Sequence, residues 1–311
     1  MSIQTENIFY KGWHNNLRLS NGDVELIVTL DVGPRVISYR LNNHKNVFKE
    51  FEEQLGKSGE KNWQMRGGHR LWVGPEDLTR TYAADNTPVV YKEIKSGTIK
   101  FLPKPDIRYG IQKELQIQLD TSGSKVSIIH RVKNIGKKII ELAPWASSVM
   151  APGGIEIIPL PEKKPHPGPP ESARSPKDYA PNQQLVIWPF TDFGDGRLKF
   201  NNKYITLRQN KNLGPTKIGL AHRMGWIAYL NKNILFVKRI ENYKSEKIYP
   251  DNGCNFETFT NQAMLEIESL GPLIKLAPGK TTELIEQWEL FANIKNFKNE
   301  MDINKNILVK I

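Results

Sequence analysis

From Gly67 to Asp77 the chain reads Gly-Gly-His-Arg-Leu-Trp-Val-Gly-Pro-Glu-Asp. His69, Arg70, Trp72 and Glu76 fall within eight residues of one another. Sugars are held by such mixtures, in which flat aromatic faces cover C–H surfaces while charged groups bond hydroxyls. The plainer alternative makes Leu71 and Trp72 core residues and Arg70–Glu76 an ordinary ion pair. A second candidate cluster lies far along the chain, in Met264-Leu-Glu-Ile-Glu-Ser-Leu270. On a strand, Glu266 and Glu268 would share one face. Two carboxylates on a buried face repel, and burial raises the proton affinity of at least one, which suits a general base. Otherwise, one of them pairs with a cation and faces solvent.

Around these stand supporting candidates. Arg35 after Gly33-Pro34, Arg70 and Lys238 are cations able to bond an acidic sugar or a phosphate. Glu76, Asn86 and Glu257 can accept from or bridge hydroxyls, and Trp72 and Trp145 can form a stacking floor. Core packing or a structural ion pair is an equal alternative for each. His14, His44, His130 and His222 are scattered without recognisable metal-ligand spacing, so no metal is expected. No Gly-x-Ser-x-Gly elbow or phosphate-binding glycine loop is present, and no cofactor is expected. Cys254, the one cysteine, reads as a small buried residue and excludes an internal disulfide.

Composition narrows the class. With 39% hydrophobic and 9% aromatic residues in 311, the chain can bury a substantial core. No run approaches the roughly 20 apolar residues of a membrane span, and the N-terminus lacks a secretory pattern, so no membrane partner and a cytoplasmic location are expected. The net charge of +11 raises nucleic acid as a partner. The basic residues are dispersed, however, with pairs such as Lys137-Lys138 and Lys163-Lys164 as their densest groupings, which argues against it.

The elements that must position these residues read as short strands. Asp23 to Leu30 alternates apolar and polar, and Arg35 to Leu41 resumes after Gly33-Pro34. Similar runs are Val89–Ile94, Thr98–Leu102, Tyr109–Leu119, Lys125–Lys133, Ile139–Leu142, Gln184–Trp188, Tyr204–Arg208, Trp226–Leu230, Asn233–Arg239, Ala263–Ser269 and Glu283–Leu290. Ser122-Gly123 and Asn231-Lys232-Asn233 read as hairpin turns. Only Val47–Leu55 and Phe291–Asn299 are candidate helices. Pro159 to Gln184 carries eight prolines and cannot join a sheet interior, so it reads as a long loop near a pocket rim. The expectation is one all-β, mostly antiparallel domain over residues 1–311.

Several further segments share the character of the Gly67 motif: Asp31-Val-Gly-Pro-Arg-Val36, Thr81 to Val89, Leu142-Ala-Pro-Trp-Ala146, Trp188-Pro-Phe-Thr-Asp-Phe193, Tyr249 to Asn261 and Met264 to Leu273. In this order, across residues 8 to 293, they resemble a bacterial domain family of the galactose mutarotase-like (aldose 1-epimerase-like) superfamily, a family with no assigned reaction. The resemblance implies a supersandwich of two large antiparallel sheets with a sugar site on the concave surface of one. It also implies ring-opening chemistry at the anomeric carbon, with a glutamate as base and a histidine as acid about a sugar ring apart. Ile267-Glu268-Ser269 is similar to the motif around the base, and His69, read in a Gly-flanked turn, is the histidine the resemblance offers. Trp145 stands where the acid histidine would, and tryptophan can stack or donate but cannot transfer a proton. The expected function is therefore a carbohydrate-active protein, an epimerase of an aldose or acidic sugar. Its alternative is a non-catalytic carbohydrate-binding module that binds a sugar or oligosaccharide; a lyase or hydrolase ranks behind both.

Overall fold

A computed structural model describes residues 2–311. Two large antiparallel sheets face each other, one of eleven strands and one of ten. Period-two alternation explains most of them. In the Ile111–Leu119 strand the residues Ile111, Leu115, Ile117 and Leu119 turn inward, and in Thr281–Phe291 Leu284, Trp288 and Leu290 do so. The inner faces interdigitate in a core running from Leu26, Val28 and Val36 through Ile267 and Phe256 to Ile128, Phe236 and Trp288. Lys232 and Asn233 adopt left-handed conformations in the tight turn joining Trp226–Asn231 to Ile234–Ile240.

The eleven-stranded sheet carries the motifs. Its central order places Val36–Leu41 beside Gly68–Gly74, then Ile140–Met150, Leu265–Leu270, Phe256–Thr260 and Thr216–Leu220. The Gly67-Gly68 pair is required by close backbone approach. Both glycines have positive φ, and a Cβ at Gly67 would lie 1.9 Å from the Lys49 carbonyl oxygen.

Three expectations change. The segment holding His69 and Arg70 is a strand, not a turn, so adjacent residues point to opposite faces. Val47–Leu55 forms only a single 3-10 turn at Glu52–Gln54, because Phe48 and Glu50 bridge to Met150 and Gly67. Phe291 ends a strand, and the helix begins later, at Glu300–Asn306, capped by Asn299. Ile303 and Ile307 there pack on the outer face of the ten-stranded sheet against Tyr204, Trp226 and Val237. Strands Gln4–Tyr10, Trp13–Ser20 and Thr216–Leu220 had no reading in the sequence. The Pro-rich segment is exposed over most of its length, with 3-10 turns at Pro170–Ser172 and Pro176–Tyr179.

His222 illustrates how the interior treats titratable groups. It is 2% exposed and donates from Nε2 to the Trp226 carbonyl at 3.1 Å. Burial depresses its pKa to about 4, against the hydrogen bond that partly supports the cation. A depressed histidine contributes stability above its unfolded pKa, near 6.5, and loses it as pH falls toward the folded value. Whole-protein stability mixes this with opposing groups such as Glu156, whose carboxyl burial raises to about 8. The His222→Gln difference isolates it. We expect the destabilisation by H222Q, measured by urea unfolding, to shrink by about 2 kcal/mol between pH 7.5 and pH 5. A pH-independent difference would show that His222 titrates alike in both states.

Candidate functional site

Strand register assembles the outer face of the eleven-stranded sheet. Arg70 lies opposite Ser147, Ser147 opposite Glu268, Glu268 opposite Glu257 and Glu257 opposite Gly219, so five strands contribute one row. The next row sets Trp72 against Trp145 and Trp145 against Leu270. On the other side, Glu266 faces Phe259 and Phe259 faces Lys217. Residues up to about 200 positions apart in the chain thus share one patch. Glu266 and Glu268 do share a face.

Two cations organise the patch. Arg70 Nη2 donates to Glu266 Oε1 at 2.8 Å, and Ser147 Oγ donates to the same oxygen at 2.8 Å. The guanidinium lies 3.8 Å from the Trp72 ring centroid and 5.3 Å from that of Trp63. Lys217 Nζ stands 2.7 Å from Glu257 Oε2 and 3.2 Å from Glu268 Oε2, with the Trp188 and Trp145 rings 4.7 and 5.1 Å away. Trp145 Nε1 also donates to Glu268 Oε2, at 2.9 Å. Gly219 makes room here: a Cβ on it would lie 2.4 Å from Cys254 Sγ and 3.2 Å from the Trp188 ring. Half-buried Trp63, Tyr82 and Trp188 border the cluster.

The electrostatics follow from burial. Glu268 is 1% exposed and Glu257 fully buried. Burial raises the Glu268 carboxyl and Glu266 adds to the effect, against Lys217 and the Trp145 hydrogen bond. Burial pushes Glu257 well above the usual carboxylate range, with Glu268 and Asp251 adding and Lys217 opposing. Lys217 itself is held fully protonated, its burial outweighed by Glu268 and Glu257. Two carboxyls pushed upward around one lysine are an arrangement from which an acid and a base can be drawn. Arg70 Nε and Nη1, Trp72 Nε1, Trp63 Nε1 and Glu257 Oε1 are buried without hydrogen-bond partners. Unmet buried donors and acceptors are costly, and these groups leave the patch with polar atoms free to bond a ligand.

Five candidates from the sequence lie outside this row. His69 is one residue from Arg70 and therefore points between the sheets, so it cannot serve as acid beside Glu268. Its Nδ1 lies 2.9 Å from Ser148 Oγ and its Nε2 2.7 Å from His130 Nε2. Lys238 belongs to the opposite sheet and is fully buried in that same interior, 2.8 Å from Glu286 Oε1. It cannot bond a ligand on the outer face. Asn86 braces a loop by accepting from Arg66 and donating to the Glu60 and Asn62 carbonyls. Glu76 accepts from Tyr82 at the exposed edge, and Arg35 pairs with Asp85 at 2.9 Å. Burial lowers Arg35 to about 10 despite Asp85.

The interior around His69 is a proton-complete network. His130 Nδ1 lies 3.1 Å from the Leu284 carbonyl, which can only accept, so Nδ1 carries a hydrogen and the neutral ring's Nε2 accepts from His69 Nε2. His69 Nδ1 then accepts from Ser148 Oγ, which in turn accepts from Lys238. Burial lowers both histidine pKa values, in keeping with neutral rings. His69, His130 and Glu286 bring potential ligand atoms within 4.8 Å of one another, a convergence invisible in the sequence. Lys238 already supplies the positive charge that a cation would bring there.

Lys217, Trp63, Trp188 and Ser147 were missed as site residues. Trp188 had a sequence signal in its site-like motif, and Trp63 in its nearness to Gly67. Lys217 had none, because its five-residue strand shows no usable alternation.

No protein-family model matches the sequence, and no curated protein sequence does either. Solved structures do match. The Slr1438 protein from Synechocystis sp. PCC 6803 superposes with a TM-score of 0.60 at 12% identity, over 93% of this chain and 99% of that one. A galactose mutarotase-like protein from Lactobacillus casei ATCC 334 gives 0.56 at 10% identity, over 89% and 100%. A galactose mutarotase related enzyme from Lactobacillus acidophilus gives 0.52 at 10%, over 91% and 100%. The two facing antiparallel sheets and these superpositions establish that the chain has the galactose mutarotase-like β-sandwich fold.

Proposed function

We propose that this protein acts on a sugar at its anomeric carbon, as an aldose 1-epimerase-like isomerase. Glu268 serves as base toward the anomeric hydroxyl and Glu257 as acid toward the ring oxygen. The observation that carries the reading is the row Arg70–Ser147–Glu268–Glu257, buried on one sheet face under Trp63, Trp72, Trp145 and Trp188, with two raised carboxyls sharing Lys217. Glu257 and Glu268 are directly opposite on neighbouring strands, close enough to reach two oxygens on one carbon. Arg70 and the tryptophan N–H groups bond the remaining hydroxyls, and the ring's C–H face lies on an indole. The fold's likeness to mutarotase-like proteins supports the same class. With His69 pointing inward, the carboxyl pair is our assignment for the acid as well as the base.

A second reading, a carbohydrate-binding module without turnover, is favoured by Trp145 and Lys217 both occupying Glu268 Oε2. NMR exchange between α and β anomers, run on neutral, acidic and phosphorylated aldoses, separates the two. Accelerated exchange is expected for at least one sugar. Tryptophan quenching by a sugar whose exchange is not accelerated would support the module, and a sugar panel with neither effect would end both readings.

A further inference from the structure

A cavity of about 850 Å³ opens beside, not within, the carboxylate patch. Arg35, Asp85, Trp63 and Tyr82 form one wall; Lys113 and Leu115 of the opposite sheet form the other. Its size falls in the range of small-molecule sites. Lys113 is anomalous on its strand. Ile111, Leu115, Ile117 and Leu119, its companions on the inward face, are all buried core. Lys113 itself is only part-buried, so a cation reaches the cavity from a row that is otherwise core. Among the described residues its ammonium has no ion-pair or hydrogen-bond partner, and Asp85 and Asp106 act on it only through space. Both acids have other engagements, Asp85 with Arg35 and Asp106 with the Tyr109 amide. Glu114, the third acid on the lining, is taken by Arg131 and Lys100. Lys61, Lys104 and Arg108 add positive charge to the lining. Five basic residues therefore line the cavity against three acids, two of which are already ion-paired.

We infer that this cavity is a binding site for a small anion carried on a ring, with its carboxylate or phosphate on Lys113 and the ring against Trp63 and Tyr82. Burial lowers the Lys113 pKa, and a bound anion would restore it. Trp63 and Tyr82 also pack on Trp72 of the carboxylate patch, with ring centroids 5.3 and 5.4 Å from it, so the two sites share a wall. The inference does not require that any sugar be turned over at Glu268.

Glucuronate, glucose 6-phosphate and glucose serve as probes in calorimetric titrations of wild type, K113M, K113Q and E268Q, each checked for native thermal unfolding. At least one anion is expected to bind more tightly than glucose. Replacement of Lys113 by methionine or glutamine should weaken it by about 10- to 100-fold, the loss of one charge-assisted hydrogen bond, with E268Q unaffected. Binding of only glucuronate or only the phosphate identifies the group recognised, and either supports the site. Should K113M fail to fold, K113Q carries the test. Three results overturn the inference: neither anion binds better than glucose, the folded Lys113 variants bind like wild type, or the loss appears in E268Q alone. The last would place the anion in the carboxylate patch and leave the sugar reading intact.

Discussion

Substituting Glu268 by glutamine is expected to lower anomer exchange by about 10²- to 10⁴-fold while leaving the fold unchanged. Glutamine keeps the volume and can still accept from Trp145 and Lys217, so what disappears is proton acceptance. E257Q should produce a loss of similar size, because it removes the proton donor. The pH profile provides the sharper test. A base is competent only when deprotonated, so activity rises with pH through the raised pKa of Glu268. An acid must hold its proton, so activity falls as pH passes the raised pKa of Glu257. The expected curve is a bell whose acidic limb vanishes from the residual activity of E268Q and whose alkaline limb vanishes from that of E257Q. Lys217 stays protonated throughout, so K217M should act differently. Without the ammonium both carboxyls move further up, and the acidic limb shifts to higher pH. Profiles by NMR exchange from pH 5 to 9 decide the matter, and a flat profile in wild type would remove the carboxyl pair from the mechanism.

The sheets were legible in the sequence because period-two alternation is a local signal, and the inward rows of Asp23–Leu30 and Ile111–Leu119 display it plainly. The residues facing the patch were partly legible. Glu266 and Glu268 could be placed together because they are two apart on one strand, whereas His69 and Arg70 could not be told apart while their segment was read as a turn. One backbone state decides which of two neighbours faces outward, and Gly67-Gly68 conceals it by looking like turn residues. The partners of these side chains were not legible at all. Lys217, Glu257 and Glu268 meet through register between strands 11 and 40 residues apart, Lys238 meets Glu286 on the neighbouring strand of its own sheet, and it meets Ser148 across the interior between the two sheets. Such pairings are set by topology, to which single-sequence periodicity is blind.

The interior network yields the largest expected effect on stability. Lys238→Met should destabilise the protein by about 3–5 kcal/mol in urea or guanidinium unfolding near neutral pH. Lys238 Nζ donates to Glu286 Oε1, the Ile267 carbonyl and Ser148 Oγ, and is fully buried. Burial works to lower its pKa, and the neighbouring Glu286 carboxylate opposes this. Methionine fills the same space but leaves Glu286 with only Trp288 Nε1 and the Ser269 hydroxyl as donors, both neutral. An uncompensated carboxylate in that interior is the source of the cost, not the loss of the lysine's contacts. The double variant K238M/E286Q, which removes both charges, should therefore recover most of the stability lost by K238M alone. Because His69 and Lys238 face away from the carboxylate patch, the folded double variant should retain anomer exchange. A K238M cost below about 1 kcal/mol would mean that the two charges are not coupled. Exchange abolished in a stable K238M/E286Q protein would mean that the interior side of the sheet participates in the chemistry after all.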